Sequence, residues 1–508
     1  MKILFVEPVG SGLPPMGLLY LIPPLKKAGF KDIEFISIKP EDTPYERSLK
    51  KLDDILKKKP GLVCITATNP VVMDAAAVAK KAKSAGAYTI LGGPGPTNSG
   101  QLIMDRFPYV DMVYKGEAEN TIVSLAKKVE KGDFDFSDIK GAMFRKGGKI
   151  IEQGTNPLIM NLDGLDFPDR SLLPFATMHG VFSIVTSRGC PFNCAFCFKP
   201  IHGRTFRART PENVIAEIKE FVKQYPKEFE AEGRQVVLAD DIFNFNMDRA
   251  KKIFDEIINS KLDITVIAVN GFHANRVDEE LLRKYKQANG KVLWFGADAG
   301  SEKVLGSLGK YVTLAEIRKA IVLAKKVGIE TVGVHFIIGL EGETPETAQE
   351  MLDFAASLPV DDIGFNHANV LPGTRLWDFA AKHGKLLFKT DGLDFTEFKQ
   401  LLPTPKFETP EFTKEQRIEA FEKSIVLMDS IRRRNTLKPH KIINFLKGLN
   451  SIDDVFWAFE RAKIFFFGKN LRLIQKREKP SILKLKTTTR TWPGKKKIPD
   501  DPSERVED

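Results

Sequence analysis

Short apolar runs alternate with amphipathic stretches along the first 130 residues. Five of these runs end at glycine- or proline-rich turns and predict strands at 2–6, 33–37, 62–66, 88–91 and 112–114. Stretches with helical periodicity lie between them and predict helices that cover the strands on both faces. Buried strands that alternate with helices are typical of a doubly wound, Rossmann-like parallel sheet. Such a sheet binds its ligand beyond the carboxyl ends of its strands, where this chain has its glycine-rich turns.

A second alternating series begins near residue 180 and continues to about residue 400. Its apolar segments predict six strands at 182–186, 235–239, 264–269, 292–296, 331–338 and 363–370. Thr210 and Thr344 each precede a proline, which is the pattern of an N-cap followed by the first helical position. Six strands with intervening helices predict a partial (β/α)6 barrel of the TIM type. The expected fold class is therefore α/β, with the barrel following the Rossmann-like sheet.

These patterns divide the chain into five segments. We expect a ligand-binding sheet at 1–135, a linker at 136–178, the barrel at 179–400, a helical region at 401–475 and a basic, disordered tail at 476–508. The linker contains a small predicted hairpin at 141–153. In the helical region, Thr413 and Gln416 form a capping box that predicts a long helix reaching about Arg434.

Composition and charge change this picture mainly at the C-terminal end. The hydrophobic content of 43% and the charged content of 28% are those of a soluble globular protein. No apolar run reaches the roughly 18 residues of a membrane-spanning helix, and the N-terminus lacks a signal-peptide layout, so we expect a cytoplasmic protein. Residues 461–497 carry thirteen Lys or Arg and one Glu, which accounts for the whole net charge of +11. The rest of the chain gives no reason to expect nucleic-acid binding.

The C-terminal region also contains aromatic clusters at 455–459 and 464–467, directly before the basic tail. Such a segment can lie on an anionic membrane surface, and it would then bring the protein into peripheral membrane contact. The alternative is a helix that packs on the barrel. The same aromatic residues hint at a large apolar substrate, such as a lipid or a tetrapyrrole.

Three of the four cysteines, Cys190, Cys194 and Cys197, share one short segment with C-x3-C-x2-C spacing. A structural zinc site normally has four protein ligands, and ordinary iron–sulfur electron carriers use four cysteines. Three thiolates therefore predict an iron–sulfur cluster with one iron open to another ligand. The alternatives are a zinc site completed by His202 and cysteines that bind no metal. The remaining cysteine, Cys64, lies in an apolar strand, so a second cysteine-ligated cluster cannot be built.

The cysteine segment resembles the C-x3-C-x-aromatic-C signature of radical S-adenosylmethionine (SAM) enzymes, with Phe196 as the aromatic residue. The resemblance implies that the three cysteines are the catalytic and metal-ligating residues, which hold a 4Fe-4S cluster whose open iron binds SAM. It extends over residues 180–380 through short matches at the later strand ends. These matches imply cofactor or substrate contacts from Asp240, Asp241, Asp298 and Gly339.

The N-terminal segment resembles the cobalamin-binding domain that precedes the barrel in one large subgroup of these enzymes. Glycines at its strand ends would let the backbone approach the corrin ring closely. The resemblance implies cobalamin contacts from Pro14, Gly17, Tyr20, Gly92, Gly93, Thr97, Gly116 and Glu117. A generic nucleotide-binding sheet, or one that has lost its ligand, is the alternative. All seven histidines lie outside residues 1–135, so this domain cannot supply a histidine ligand to cobalt.

Together the resemblances imply a cobalamin-dependent radical SAM enzyme. The favoured reaction is methylation of an unactivated carbon. A 5′-deoxyadenosyl radical abstracts a hydrogen atom from the substrate, and cobalamin delivers a methyl group to the substrate radical. A second SAM then remethylates the cobalamin. Oxidative cyclisation, carbon–carbon coupling and a non-catalytic regulatory role are the alternatives. The expected partners are a small-molecule or lipid-like substrate and an electron donor such as ferredoxin or flavodoxin, without nucleic acid.

Overall fold

The computed structural model describes residues 1–9, 13–38, 44–175, 182–395, 398 and 404–436, with side chains for all of these except 44–49. The aromatic clusters at 455–459 and 464–467 and the basic tail therefore lie outside the described residues. Within the described residues, no helix combines the length and the apolar character that crossing a bilayer requires.

The N-terminal sheet contains five parallel strands, each of which closely matches a predicted one. Its strands are β1 (Ile3–Glu7), β2 (Ile33–Ser37), β3 (Leu62–Thr66), β4 (Tyr88–Gly92) and β5 (Met112–Tyr114). They lie in the order β2-β1-β3-β4-β5, the order of flavodoxin-like sheets, whose ligand site lies where the winding reverses beside β1. The helices are α1 (Met16–Leu19), α2 (Ile22–Lys27), α3 (Pro44–Lys57), α4 (Val72–Ser84), α5 (Pro94–Arg106) and α6 (Ile122–Glu130).

A hairpin extends this sheet beyond β5. Its strands, β6 (Ala142–Lys146) and β7 (Lys149–Glu152), lie in the segment predicted as a linker. The sequence predicts the hairpin but not its partner, because β6 pairs antiparallel with β5, with Met112 opposite Phe144. Phe144 is fully buried, so the hairpin contributes to the core of the N-terminal sheet.

The second half of the chain forms the predicted partial barrel. Its strands are β8 (Ser183–Ile184), β9 (Ser187–Arg188), β10 (Arg207–Ala208), β11 (Gln235–Leu238), β12 (Thr265–Phe272), β13 (Gly290–Asp298), β14 (Thr331–Ile338) and β15 (Asp362–His367). All except the β9–β10 pair belong to one six-stranded parallel sheet in sequence order. The helices are α7 (Pro211–Gln224), α8 (Pro226–Ala231), α9 (Met247–Ser260), α10 (Glu279–Gln287), α11 (Glu302–Ser307), α12 (Leu314–Val327), α13 (Pro345–Ala356) and α14 (Arg375–His383).

Local sequence signals fix several helix starts as predicted. The Thr210 side chain accepts the backbone N–H of Asn213 at the start of α7, and Thr344 caps α13 through a capping box with Thr347. Both threonines precede a proline, whose missing N–H costs nothing in the first turn. These caps fix where two of the helices that follow barrel strands begin.

A long helix packs against the last barrel strand. After the short pair β16 (Lys385–Leu386) and β17 (Phe407–Glu408), α15 runs over Lys414–Thr436 and contacts β15 and α13. The predicted capping box is present, with the Thr413 N–H donating to Gln416 Oε1 at 2.9 Å. Helix α15 thus covers the edge of the sheet that the partial barrel would otherwise leave open.

Candidate functional site

The three clustered cysteines lie on a loop whose two ends are held together. Strands β9 and β10 pair antiparallel, with Arg188 opposite Arg207, so residues 189–206 form a loop closed at its base. Cys190 is buried, while Cys194 and Cys197 are half-buried. The three thiol groups and the Lys199 ammonium lie within electrostatic range of one another. The loop therefore gathers three thiols around one small region.

The protein environment favours the protonated thiols of Cys194 and Cys197 in the absence of metal. Burial raises the pKa of Cys194 to about 12, although the positive charge of Lys310 opposes the shift. Burial also raises the pKa of Cys197, and Lys199 opposes that shift. Since thiolates are the metal-binding form, loading the loop requires the charge of bound iron and releases protons.

The donor set suits a 4Fe-4S cluster in which three irons each take one protein thiolate and the fourth iron stays open to another ligand. The described residues contain no group of three Cys, His, Asp or Glu side chains arranged to hold a single metal ion. His202, the candidate fourth ligand of a zinc site, is paired through Nδ1 with Asp241 Oδ2 at 3.0 Å.

Two acids after β11 anchor the cysteine loop. Asp240 Oδ1 accepts hydrogen bonds from the hydroxyls of Thr186 at 2.9 Å and Ser187 at 2.7 Å, whereas its buried Oδ2 has no partner. Burial raises the pKa of Asp240. Asp241 Oδ2 accepts the N–H of Gly189 at 2.8 Å in addition to its contact with His202. Asp241 thereby ties a residue before the cysteines to one after them.

Asp298 lies at the carboxyl end of β13 in an ion pair. Its backbone has φ of 63°, in the left-handed region, and its carboxylate contacts the Lys310 ammonium, which also donates to the carbonyl of Gly296. Both charged side chains are buried. The pair lies within electrostatic range of Cys194, so it belongs to the surroundings of the cysteine loop.

Gly339, after β14, has both backbone groups engaged within the protein. Its N–H donates to Glu343, and its carbonyl accepts from Arg417 Nη1 on α15 at 3.2 Å. Its φ of +95° favours glycine, and a Cβ here would overlap the Arg417 guanidinium. The contact with SAM that the sequence suggests for this position remains a prediction.

A cavity that is open to solvent lies at the carboxyl edge of the N-terminal sheet, with about 860 Å³ of empty space including the solvent at its mouth. Its walls are mainly apolar, and Gly93 shows how the backbone makes room: φ is +97° and a Cβ would lie 2.8 Å from the carbonyl oxygen of Ala67. Six predicted cobalamin contacts line it: Gly17, Tyr20, Gly92, Gly93, Gly116 and Glu117. The apolar walls and the glycine-bearing edge fit a ligand held against the sheet.

The two other predicted cobalamin contacts lie next to this cavity and do not line it. The Thr97 hydroxyl accepts the N–H of Gly116 at 3.3 Å, and the carbonyl of Pro14 accepts the N–H of Met16 at 2.9 Å. Both residues thus hold segments that form the wall.

The barrel closes the cavity from the other side. Its contribution consists of Val185, Arg188, Ile201 and His202. Sequence reasoning missed this contribution, because residues 185–202 carry no local signal of contact with the N-terminal sheet. His202 provides an imidazole on the cavity wall although the N-terminal domain contains no histidine. Cys64, expected to be an ordinary core residue, is buried and also lines the cavity.

A buried ionic network joins the cavity wall to the base of the cysteine loop. Glu117 accepts hydrogen bonds from Arg207 Nη1 at 2.7 and 2.9 Å and from Arg188 Nη1 at 3.1 Å. Arg188 also pairs with Glu119 at 2.7 Å, and its guanidinium lies 4.9 Å from the centre of the Tyr20 ring. Burial alone would raise the pKa of Glu117, but the Arg207 hydrogen bond and the Arg188 charge outweigh it and lower the pKa.

Comparisons with known proteins match both halves of the chain. The family described as "Radical SAM superfamily" matches residues 184–355, and the "B12 binding domain" matches residues 3–126. An uncharacterised methyltransferase of Pyrococcus horikoshii is 32% identical over 443 residues, which cover 84% of this chain and 92% of that protein. The chain belongs to the radical SAM superfamily and carries a B12-binding domain.

One further relative and one solved structure are also similar to this radical SAM enzyme. The anaerobic magnesium-protoporphyrin IX monomethyl ester cyclase of Cereibacter sphaeroides is 28% identical, over 80% of this chain and 67% of that protein. The solved structure of the radical SAM methyltransferase TsrM from Kitasatospora setae matches with a TM-score of 0.64 at 20% identity. That match covers 77% of this chain and 79% of the other. The structural likeness shows the shared fold.

Membership fixes the class of the protein and its cofactors. It is an enzyme that uses a 4Fe-4S cluster, SAM and cobalamin, acts on a small molecule and needs a reductant. The cysteine loop lies in the matched radical SAM region, and the cavity lies against the matched B12-binding region.

Proposed function

We propose that this radical SAM enzyme is a cobalamin-dependent methyltransferase that methylates an unactivated carbon of a small molecule. The observation that carries the proposal is the wall shared by the two candidate sites: Arg188 lines the cavity, and Cys190 follows it two residues later. A methyl donor in the cavity and a radical generated at the loop would therefore act in neighbouring space. The relatives from P. horikoshii and K. setae, both named as methyltransferases, support this reaction.

At the loop, we assign the three cysteine thiolates to the cluster. The unpartnered, buried Oδ2 of Asp240 supports a role in accepting a hydrogen bond from the amino group of SAM, since a buried carboxylate oxygen without a partner is costly. Other candidates for SAM or substrate contact are Phe196 on the cysteine loop, and Asp241, Asp298 and Gly339 at the ends of three barrel strands.

At the cavity, we assign the glycine-bearing edge to the corrin ring. The apolar wall can cover the faces of the macrocycle, and Glu117 acts through the arginines that it holds. The residues proposed for this role are Pro14, Gly17, Tyr20, Gly92, Gly93, Thr97, Gly116 and Glu117.

When bound, the cluster with SAM supplies a hydrogen-abstracting 5′-deoxyadenosyl radical, and cobalamin supplies the methyl group. The protein's own residues hold these centres, exclude water and orient the substrate. The reductant we propose is a ferredoxin or flavodoxin of the cytoplasm. A lipid-like substrate with peripheral membrane contact through residues 455–467 is a further proposal, which rests on the sequence.

A labelling experiment tests the methyltransferase function without knowledge of the substrate. Protein loaded with cluster and cobalamin is reduced anaerobically with SAM that carries a trideuterated methyl group. We expect the deuterated methyl group to be recovered by mass spectrometry with the extracted cobalamin, together with S-adenosylhomocysteine. Protein that binds cobalamin and SAM but never transfers the label would overturn the proposal.

A second candidate function is oxidative cyclisation, favoured by the 28% identity to the cyclase of C. sphaeroides over most of this chain. The same experiment separates the two functions. A cyclase would cleave SAM to 5′-deoxyadenosine without moving the labelled methyl group.

A further inference from the structure

Two aromatic rings stack on the face of the barrel sheet that points away from the helices. The centres of the Trp294 and His335 rings are 4.2 Å apart, with 15° between their planes. Side chains alternate along a strand, and the neighbours Leu293, Phe295, Val334 and Phe336 are all fully buried in the core. Trp294 and His335 therefore face the lumen of the partial barrel.

Glycines on the adjacent strands make room for both rings. Trp294 is in register with Gly333, where a Cβ would lie 2.5 Å from the indole ring. His335 is in register with Gly364, where a Cβ would overlap the imidazole. The rings can thus lie over the backbone of the neighbouring strand. The pair forms a built platform that spans β13, β14 and β15.

The platform is open to a ligand. Trp294 is half-buried and His335 is exposed, and Val269 on β12 is 49% exposed. Neither ring makes a hydrogen bond with the described residues, so the N–H donors are free for the polar edge of a ligand. Partial desolvation by the sheet lowers the pKa of His335.

The platform also lies near the reacting centre. His335 is in register with Gly296, and a Cβ at Gly296 would meet the Lys310 ammonium and the Asp298 carboxylate. The ion pair that belongs to the surroundings of the cysteine loop therefore lies beside His335 on the same face of the sheet. A molecule on the platform would therefore lie on the lumen side of the cysteine loop. This is where a radical generated at the loop would meet its substrate.

We propose that the Trp294–His335 platform binds the substrate through a planar, conjugated ring system. Offset stacking of flat rings adds stabilisation beyond the area that is buried, which a saturated skeleton of the same size cannot gain. This inference rests on the proposed function and specifies its substrate class as aromatic or conjugated.

Equilibrium dialysis of the loaded holoenzyme with a matched pair of probes tests the inference. The planar probe is 1-naphthoate, and decahydro-1-naphthoate has the same skeleton and charge without planarity. We expect 1-naphthoate to bind about ten-fold more tightly than its saturated counterpart. Trp294→Leu should abolish this preference, and Gly333→Ala should reduce it because the new Cβ displaces the indole ring.

Trp377→Leu provides the control, because Trp377 lies on α14 and packs against Phe395. It should leave the ten-fold preference unchanged. Equal binding of the two probes, no measurable binding of 1-naphthoate, or an unchanged preference in Trp294→Leu would each overturn the proposal. Transfer of the labelled methyl group to cobalamin needs no substrate. A negative dialysis result would therefore leave the methyltransferase function intact, and a negative labelling result would still allow the dialysis to test the platform.

Discussion

Both candidate sites of this enzyme lie at the carboxyl edge of a set of parallel strands, but the side chains that surround them differ. At the edge of the N-terminal sheet, glycines and apolar side chains surround a cavity, and the acid Glu117 is bonded to two arginines. At the edge of the barrel, buried acids and lysines surround three thiols. Topology thus explains where the two candidate sites lie, and their different side chains are the basis for proposing a different cofactor at each.

The largest effect should come from the thiols, because they have no substitute. Replacing any one of Cys190, Cys194 and Cys197 by alanine should abolish cluster assembly and SAM cleavage, measured as bound iron and as 5′-deoxyadenosine. Cobalamin binding should persist, since the cavity is built by other residues. Cys64→Ala is the matched control, because this cysteine lines the cavity. Iron loss in Cys64→Ala, or normal iron content after replacement of Cys190, Cys194 or Cys197, would contradict the assignment of the cluster to these three cysteines.

The next effect tests the connection between the sites. Glu117→Gln leaves Arg188 and Arg207 buried with one fewer negative charge, and breaking a buried ion pair in this way costs about 3–5 kcal/mol. We expect a lower free energy of unfolding and reduced iron occupancy. The matched control is Glu152→Gln, which removes an exposed pair with Lys115 and should cost under about 1 kcal/mol. Similar stability in the two variants would show that the network is not a structural link.

A smaller effect concerns the pH dependence near Gly339. Burial raises the pKa of Glu343 to about 7, whereas the unfolded chain releases this proton near 4.5. Folding therefore takes up a proton between these values, and the free energy of unfolding should fall as pH rises from 4.5 to 7, by at most about 3 kcal/mol. Anaerobic thermal unfolding should show that Glu343→Gln removes this slope. A variant that keeps the wild-type slope would contradict the assignment.

The smallest effect tests His202 on the cavity wall. Its Nδ1 pairs with Asp241, which leaves Nε2 as the one ring nitrogen that could reach cobalt. Since the same pairing ties His202 to the base of the loop, we expect His202 to position the loop and cobalt to carry no imidazole ligand. The electron paramagnetic resonance spectrum of bound cob(II)alamin should then lack nitrogen hyperfine splitting from a protein imidazole and be unchanged in His202→Gln. A splitting that disappears in His202→Gln would identify the barrel as the source of an axial ligand.

Sequence patterns predicted the N-terminal sheet well because its strands are buried on both faces. Continuous apolar runs such as Leu62–Thr66 are recognisable without tertiary information, and so is the cysteine spacing. The contacts between the halves could not be predicted, since they depend on packing. Arg188 and Arg207 carry no local signal of pairing with Glu117. His202 is far in sequence from the N-terminal residues that form most of the cavity wall. The hairpin at β6 was predicted, but its pairing with β5 was not.

The central claim is that one chain holds its cluster and its cobalamin side by side, with Arg188 between the two sites. Pulsed electron paramagnetic resonance of wild-type protein, loaded with both and reduced to the paramagnetic 4Fe-4S cluster and cob(II)alamin, tests it most directly. We predict a magnetic interaction between the two spins that is absent when either centre is omitted. A spectrum equal to the sum of two isolated centres in fully loaded protein would contradict the account.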